Sequence, residues 1–229
     1  MKSRIVLSAG LSILAMATLA WGEDALKERA DKLSYALGLN IGNSFKQQSI
    51  EINPNIFLQG VTDAFTVGKH LLSDDEVREI MTALNKELAE KNAEALKKSA
   101  EKNKEEAVLF LGENKKKDGV KTLASGLQYK VINEGKGKSP KAADTVSVHY
   151  RGTLINGREF DSSYRRGEPA TFPVNGVIPG WTEALQLMKE GAKWQLFIPS
   201  DLAYGERGAG NVIGPNAALI FEVELITVK

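Results

Sequence analysis

The sequence predicts an α+β protein: an all-helical N-terminal module, a long connecting helix, and an antiparallel β-sheet wrapped around one short helix. Three observations carry that reading. Up to about Asn114 the apolar residues recur at threes and fours, the helical period. After Thr122 they recur at alternate positions, the strand period. Between the two patterns lies a run of Lys, Glu, Asn and Ala that no Pro or Gly interrupts until Gly112.

Ahead of the helices stands a leader. Lys2 and Arg4 precede an apolar run from Ile5 to about Ala20, and small residues lie before Glu23. That is the layout of a secretory signal peptide over residues 1–22, with cleavage after Ala20 or Gly22. An uncleaved anchor is the alternative, and the run is short for a span, which needs about 20 apolar residues. The expected destination is the periplasm, with attachment to the outer membrane or cell surface left open.

The first helix is predicted from Leu26, Ala30, Leu33 and Leu37. Gly38 and Gly42 follow four apart; they permit close approach by a neighbouring backbone, or else mark a loose helix end. A second helix opens at Asn53, a capping residue, with Pro54 in the first turn where its missing N–H costs nothing. A third begins at Ser73, which has capping-box spacing to Glu76. Val77, Ile80, Met81, Leu84 and Leu88 give it an apolar start, but Glu90 to Glu106 offers almost nothing to bury. Read as one helix of about 40 residues it would be about 60 Å long, a solvated rod between two bodies. A disordered charged linker is the alternative.

Residues 23–72 are too few for a self-sufficient core, which is marginal below about 70–80 residues without staples. The chain has no cysteine, so no disulfide can supply one. The remedy left is a second copy, so 23–72 are read as a helical homodimerisation domain, 73–114 as the connecting helix and 115–229 as a separate sheet domain. The lack of cysteine also excludes a lipoprotein anchor, thiolate metal sites and thiol chemistry. With 30 basic and 29 acidic side chains the formal charge is +1, and no nucleic-acid partner is expected.

In the sheet domain Val146, Val148 and Tyr150 share one face of a strand, and Leu219, Phe221, Val223 and Leu225 share one face of another. Clean alternation predicts an antiparallel sheet with one solvated face. Asn156-Gly157 is a hairpin signal between two strands. The one confident helix opens with Trp181 after a Pro-Gly pair and carries Leu185 and Met188 on the same side; it must cover the sheet's apolar face. Tyr150, Phe221 and Trp181 therefore converge, joined by Phe160 beside Asp161 and by Tyr204 in a glycine-rich loop. Core filling explains any one of them, but five rings with a carboxylate among them point to a lined cavity.

Four separated segments, VSVHYRGTLINGREFDSS, VIPGWTEALQLM, PSDLAYGERG and GPNAALIFEVELI, resemble the FKBP-type peptidyl-prolyl cis–trans isomerases in order and spacing. The helical half, from DKLSYALGLNIGNSF to VLFLGENKKKDGV, resembles the dimerising N-terminal domain of the Mip (macrophage infectivity potentiator) and FkpA-type exported subfamily. The resemblance implies rotation about X–Pro bonds of unfolded or partly folded exported proteins, with no cofactor and no metal, and chaperone activity from the helical half. It implies that Trp181 floors the pocket, that Tyr150, Phe160 and Phe221 wall it, and that Val177 and Ile178 form its rim. The Ile178 N–H and the Tyr204 hydroxyl would be donors to substrate. Asp161 matches the pocket carboxylate, with Arg166 as the partner that holds it ionised, although a plain salt bridge is equally compatible. Ile213 and Pro215 would shape a loop over the cleft. Ala170 stands where an aromatic wall is common and Ala209 where a loop histidine often sits, which puts in question macrolide inhibitor binding and the preference before proline.

Two functions stay open on sequence: an isomerase, and a dimeric holder of unfolded clients in which the pocket merely binds.

Overall fold

The computed structural model describes residues 26–66, 68 and 70–229; the expected signal peptide lies outside the described residues. The chain forms two compact units, one reaching to Arg78 and the other running Glu79–Lys229. No described helix is long and apolar enough to cross a membrane.

In the first unit α1 (Arg29–Gln47) and α2 (Pro54–Ala64) are followed by the start of α3 (Asp74–Asn114). Leu26 precedes α1 rather than opening it. The Asn53 side chain caps α2 by accepting from the N–H groups of Asn55 and Ile56, at 3.0 and 3.4 Å. The capping box at α3 is reciprocal: Ser73 N–H donates to Glu76 at 2.8 Å, and Glu76 N–H donates to the Ser73 hydroxyl at 3.3 Å. Phe45 and Phe57 meet edge to face with centroids 5.4 Å apart, joining α1 to α2. Yet no residue of either helix is buried. Gly38 and Gly42 are mid-helix, not at a loose end, and nothing among the described residues comes within 4 Å of an added Cβ there. They line an open apolar groove of about 710 Å3 with Ile41, Phe45, Phe57 and Leu58.

The second unit is built on one sheet of β1 (Val120–Thr122), β2 (Gln128–Asn133), β3 (Thr145–Leu154), β4 (Glu159–Ser162), β5 (Ala170–Pro173), β6 (Lys193–Ile198) and β7 (Leu219–Val228). Its order is β1-β2-β6-β7-β3-β4, with β5 pairing the first half of β3 while β4 pairs the second. Every pairing is antiparallel. The expected hairpin sits between β3 and β4: Gly157 takes φ +85°, which glycine adopts without strain, and Leu154 and Arg158 close the turn at 2.9 Å. The inward residues of β3 and β7 alternate as the sequence predicts, and the sheet wraps around α5 (Pro179–Leu187). Trp181, Ala184, Leu185 and Met188 are buried against Val146, Val148, Leu196 and Val223. A short α4 (Ser163–Arg166) follows β4, capped by the Ser162 hydroxyl at 3.4 Å.

Two expectations need correction. α3 is one helix of 41 residues to Asn114, but its polar stretch is not fully solvated. Ser99, Ala100 and Asn103 are half-buried, and Asn103 donates to the Pro215 carbonyl at 2.8 Å. Polarity there serves a hydrogen-bonded contact rather than water alone. Nor is the sheet's second face wholly solvated. Gln128 is buried, accepting from Asn114 at 3.0 Å and donating to the Leu111 carbonyl at 2.9 Å, a second bond beside the one that carbonyl accepts from the Lys115 N–H at 3.1 Å. Ala107 is buried nearby, and Phe110 meets Phe197 at 6.0 Å. The end of α3 thus covers the outer face of β2 and β6.

Candidate active site

The site begins with where Trp181 is held. Pro179 opens α5, and Gly180 lies so close to β6 that a Cβ there would stand 2.6 Å from Ile198 Cγ2. The Thr182 hydroxyl donates to the Val174 carbonyl at 2.8 Å, tying the first turn to the preceding loop. The indole is therefore fixed from both sides. Tyr150 and Phe221 each meet it edge-on with centroids at 5.2 Å, and Phe172 does so at 6.0 Å. Phe160 stands perpendicular to Phe221 at 5.4 Å. Edge-to-face pairs of this kind add about 0.5–1.5 kcal/mol each beyond area burial. Burying an aromatic of on the order of 200 Å2 contributes about 5 kcal/mol at about 25 cal/mol per Å2.

The rings leave a cleft of about 620 Å3, lined by Tyr150, Phe160, Asp161, Phe172, Gly176, Val177, Ile178, Trp181, Tyr204, Ile213 and Phe221. The structure thus gathers nine of the eleven residues singled out from the sequence. Arg166 is not among the lining residues. It reaches the site through Asp161 and Tyr150, donating to one at 2.5 Å and to the other's hydroxyl at 2.7 Å. Pro215 also stays out of the lining; its carbonyl faces α3.

The sequence reading missed Phe172, Gly176 and Gly152. Phe172 shares a face of β5 with Ala170, two residues away, so the period that flagged a missing wall at Ala170 also pointed to its replacement. Gly152 is two past Tyr150 on the inner face of β3. A Cβ there would meet Phe160 at 2.6 Å and Phe221 at 2.7 Å, so the rings occupy the space a side chain would have taken.

The polar edge has a definite arrangement. Asp161 accepts hydrogen bonds from the Tyr150 hydroxyl, from Arg166 and from the Ser162 N–H at 2.8 Å. Burial pushes the Asp161 carboxyl up, but the Tyr150 and Arg166 hydrogen bonds and the guanidinium charge outweigh it and hold it below its ordinary value. Burial, and then the bond to Asp161, push the Tyr150 phenol up. Tyr150 therefore stays a neutral donor to an ionised partner. The Ile178 carbonyl accepts from Trp181 and Thr182, but among the described residues its own N–H has no acceptor. The exposed Tyr204 hydroxyl likewise makes no hydrogen bond among them. His149, on the face of β3 opposite Tyr150, is half-buried, stacked on Tyr164 at 4.7 Å with Nδ1 3.0 Å from the Ser163 hydroxyl. Among the described residues no cluster of three or more His, Asp or Glu could hold a metal ion.

A sheet wrapped around one helix and opening on an apolar cleft, with donors at its rim that have no acceptor among the described residues, offers room for a compact apolar group with a polar chain beside it. Comparison with known proteins narrows that reading. Residues 136–226 match the FKBP-type peptidyl-prolyl cis-trans isomerase family, and 30–131 match the domain amino-terminal to FKBP-type peptidyl-prolyl isomerase. The chain is 46% identical to the outer membrane protein MIP of Legionella longbeachae over 231 residues, 100% of this chain and 99% of that one. It is 48% identical to the peptidyl-prolyl cis-trans isomerase Mip of Coxiella burnetii over 94% of each. The crystal structure of FkpA from Escherichia coli superposes with a TM-score of 0.69 at 43% identity, covering 90% of this chain and 99% of that one. The chain belongs to the FKBP-type peptidyl-prolyl cis-trans isomerases of the Mip and FkpA kind. Its activity is the cis–trans isomerisation of peptide bonds before proline.

Proposed function

We propose that the Trp181 cleft is where this isomerisation takes place, with a prolyl ring on the indole and the preceding amide between Ile178 and Tyr204. Rotation about an X–Pro bond must overcome about 18–20 kcal/mol of amide resonance and breaks no covalent bond. Such a step needs no nucleophile, only an environment that favours the twisted amide over the planar one. The twisted amide has lost resonance, and its carbonyl carries less charge. An apolar cleft walled by Tyr150, Phe160, Phe172 and Phe221 withholds the water that stabilises the planar form. The Ile178 N–H and the Tyr204 hydroxyl then anchor the chain on either side of the bond while it turns. Asp161, with Arg166 behind it, places a fixed negative charge where the carbonyl swings.

The observation that carries this reading is the pair of donors, without an acceptor among the described residues, beside a ring-lined cleft. A refolding assay limited by a cis–trans prolyl step tests it. Asp161→Leu and Tyr204→Phe should each slow catalysed refolding about tenfold or more, the size of one transition-state interaction. Wild-type rates in both variants would remove the cleft from the reaction. Macrolides that compete with proline should occupy the same cleft.

For the helical unit, two copies meeting through the apolar faces of α1 and α2 form the proposed assembly, supported by the open groove and the absence of any buried residue there. Export to the periplasm rests on the leader and on the likeness to a protein named for the outer membrane. Unfolded exported proteins with X–Pro bonds are the proposed clients, held by the dimer and isomerised in the cleft.

A further inference from the structure

The polar stretch of α3 has no role in the cleft, yet it touches the loop that closes it. That loop runs from Tyr204 to Ala217. Its front presents Tyr204 and Ile213 to the cleft. Its two arms are locked together: Ala209 and Ile213 exchange N–H···O bonds at 2.8 and 3.1 Å, and the Asn216 N–H donates to the Gly205 carbonyl at 2.8 Å. Its rear, residues 214–216, lies against α3. There two amides reach across in opposite directions. Asn103 on the helix donates to the Pro215 carbonyl at 2.8 Å, and Asn216 on the loop donates to the Ala100 carbonyl at 3.4 Å. Asn216 holds φ +57°, a left-handed conformation that asparagine tolerates better than most residues and that few would adopt unaided. Gly214 has no side chain to spare: a Cβ there would stand 2.8 Å from Asn103 Nδ2 and 3.4 Å from the Ser99 hydroxyl.

We infer that this reciprocal clamp makes Asn103 a positioning residue for the isomerase site, acting through the 204–217 loop rather than on substrate. The inference rests on the cleft being the site of reaction. The physical ground is that a glycine-rich loop has many accessible backbone states. Gly205, Gly208 and Gly210 all take positive φ, so beyond the three bonds between its arms this loop has little to fix its position against the cleft. A side chain that grips its rear removes states in which Ile213 and Tyr204 leave the cleft, which lowers the conformational entropy lost when substrate binds. One bond to a carbonyl that has few other partners does this only where helix and loop are close-packed, which the bare Gly214 provides.

Asn103→Ala tests it in the full chain. Alanine is the better helix former, so α3 does not weaken and any loss lies in the contact. The expected result is a fall in kcat/KM on a short X–Pro peptide of about three- to tenfold, the worth of one hydrogen bond, carried mainly by KM. The Ile213 methyl NMR signal should shift or broaden while the Leu185 methyl signals stay in place. Gly214→Ala pushes the same contact apart from the loop side and should have a similar effect. In the Asn103→Ala background it should add nothing, because the amide it would strike is gone. Unchanged kcat/KM with an unchanged Ile213 signal overturns the clamp, as does strict additivity of the two substitutions. Asp161→Leu run alongside separates the failures: if it abolishes turnover while Asn103→Ala does not affect it, the clamp alone is wrong. If neither variant affects turnover, the cleft assignment falls and the clamp with it.

Discussion

The two units handle their apolar residues in opposite ways. In the sheet unit each inward residue of β3 and β7 is covered, and the cover is α5, supplied by the stretch of chain between the two strands. In the helical unit Leu33, Leu37 and Ile41 follow an equally regular period along α1, and they and Ile56 and Leu58 of α2 are all exposed. Periodicity therefore identifies an element and its sticky face, but says nothing about what covers that face. Among the described residues one core is complete and the other is open. The difference also separates the roles: the finished core can hold aromatic rings rigidly around a cleft, while the open one is an apolar surface free to meet a second copy, as proposed above.

The strongest way to break this comparison is to place charge on the open face. Leu37→Asp with Leu58→Asp should abolish the proposed dimer, since a buried unpaired carboxylate costs several kcal/mol. Two of them raise the dissociation constant by on the order of a thousandfold or more. Light scattering should then report the mass of one chain, and the sheet unit should keep its peptide isomerase activity. Wild-type protein already at single-chain mass would show that the exposed face needs no partner of its own kind.

Next in size is the mirror experiment in the finished core. Trp181→Ala should destabilise the sheet unit by about 3–5 kcal/mol, because three rings lose their central contact and the site cannot collapse around α5. That corresponds to a fall in melting temperature of about 10 °C. Peptide turnover should vanish with it. Survival of turnover would mean the indole is core filling and not the floor of a working cleft.

The sequence made much of this visible and hid a particular part. Capping signals at Asn53 and Ser73, the hairpin at Asn156-Gly157 and the parity of β3 and β7 are local, so they could be read one segment at a time. The docking of α3 could not. Asn103, Asn216 and Gln128 look like solvent-facing residues because their partners, Pro215, Ala100 and Asn114, are distant or irregular in sequence. A polar residue that satisfies a backbone carbonyl has no periodic signature. Phe172 and Gly152 were within reach, since both lie on the same strand faces as residues already chosen. Their meaning depends on volume in three dimensions: a ring where Ala170 gave none, and a hole where two rings needed space.

Truncation sharpens the comparison at a middle scale. Because residues from Ser99 onward belong to the sheet unit's packing, the cut that separates the units cleanly is before Glu79, not after the helix. A chain beginning at Glu79 should turn over short peptides within about twofold of the whole protein. It should refold a protein client several-fold more slowly, because the holding surface is gone. Equal rates on both substrates would deny the helical unit any part in client handling.

The smallest effect expected concerns the polar edge of the cleft, and its sign follows from proton binding. Asp161 has a folded pKa below its unfolded value, so it contributes stability at pH above about 4, and that contribution is lost as the pH falls through the folded value. Tyr150 is raised, so its contribution is present below about pH 10 and is lost as the pH rises through its folded value. The Asp161 side chain is nearly half exposed, so solvent screens the pair with Arg166, and its worth is about 1 kcal/mol or less. The melting temperature of Asp161→Asn should therefore lie a few degrees below wild type across neutral pH. The gap should close on acidification below about pH 4, where wild type takes up the proton that the asparagine lacks. Glu76 is also held below its ordinary value, by the Ser73 N–H and hydroxyl, but it belongs to the other unit. Acid loss of its cap should be seen in helical signal alone, with the cleft untouched. A gap that stays constant from pH 8 to pH 3 would show that the Asp161 carboxylate is not held ionised by Tyr150 and Arg166.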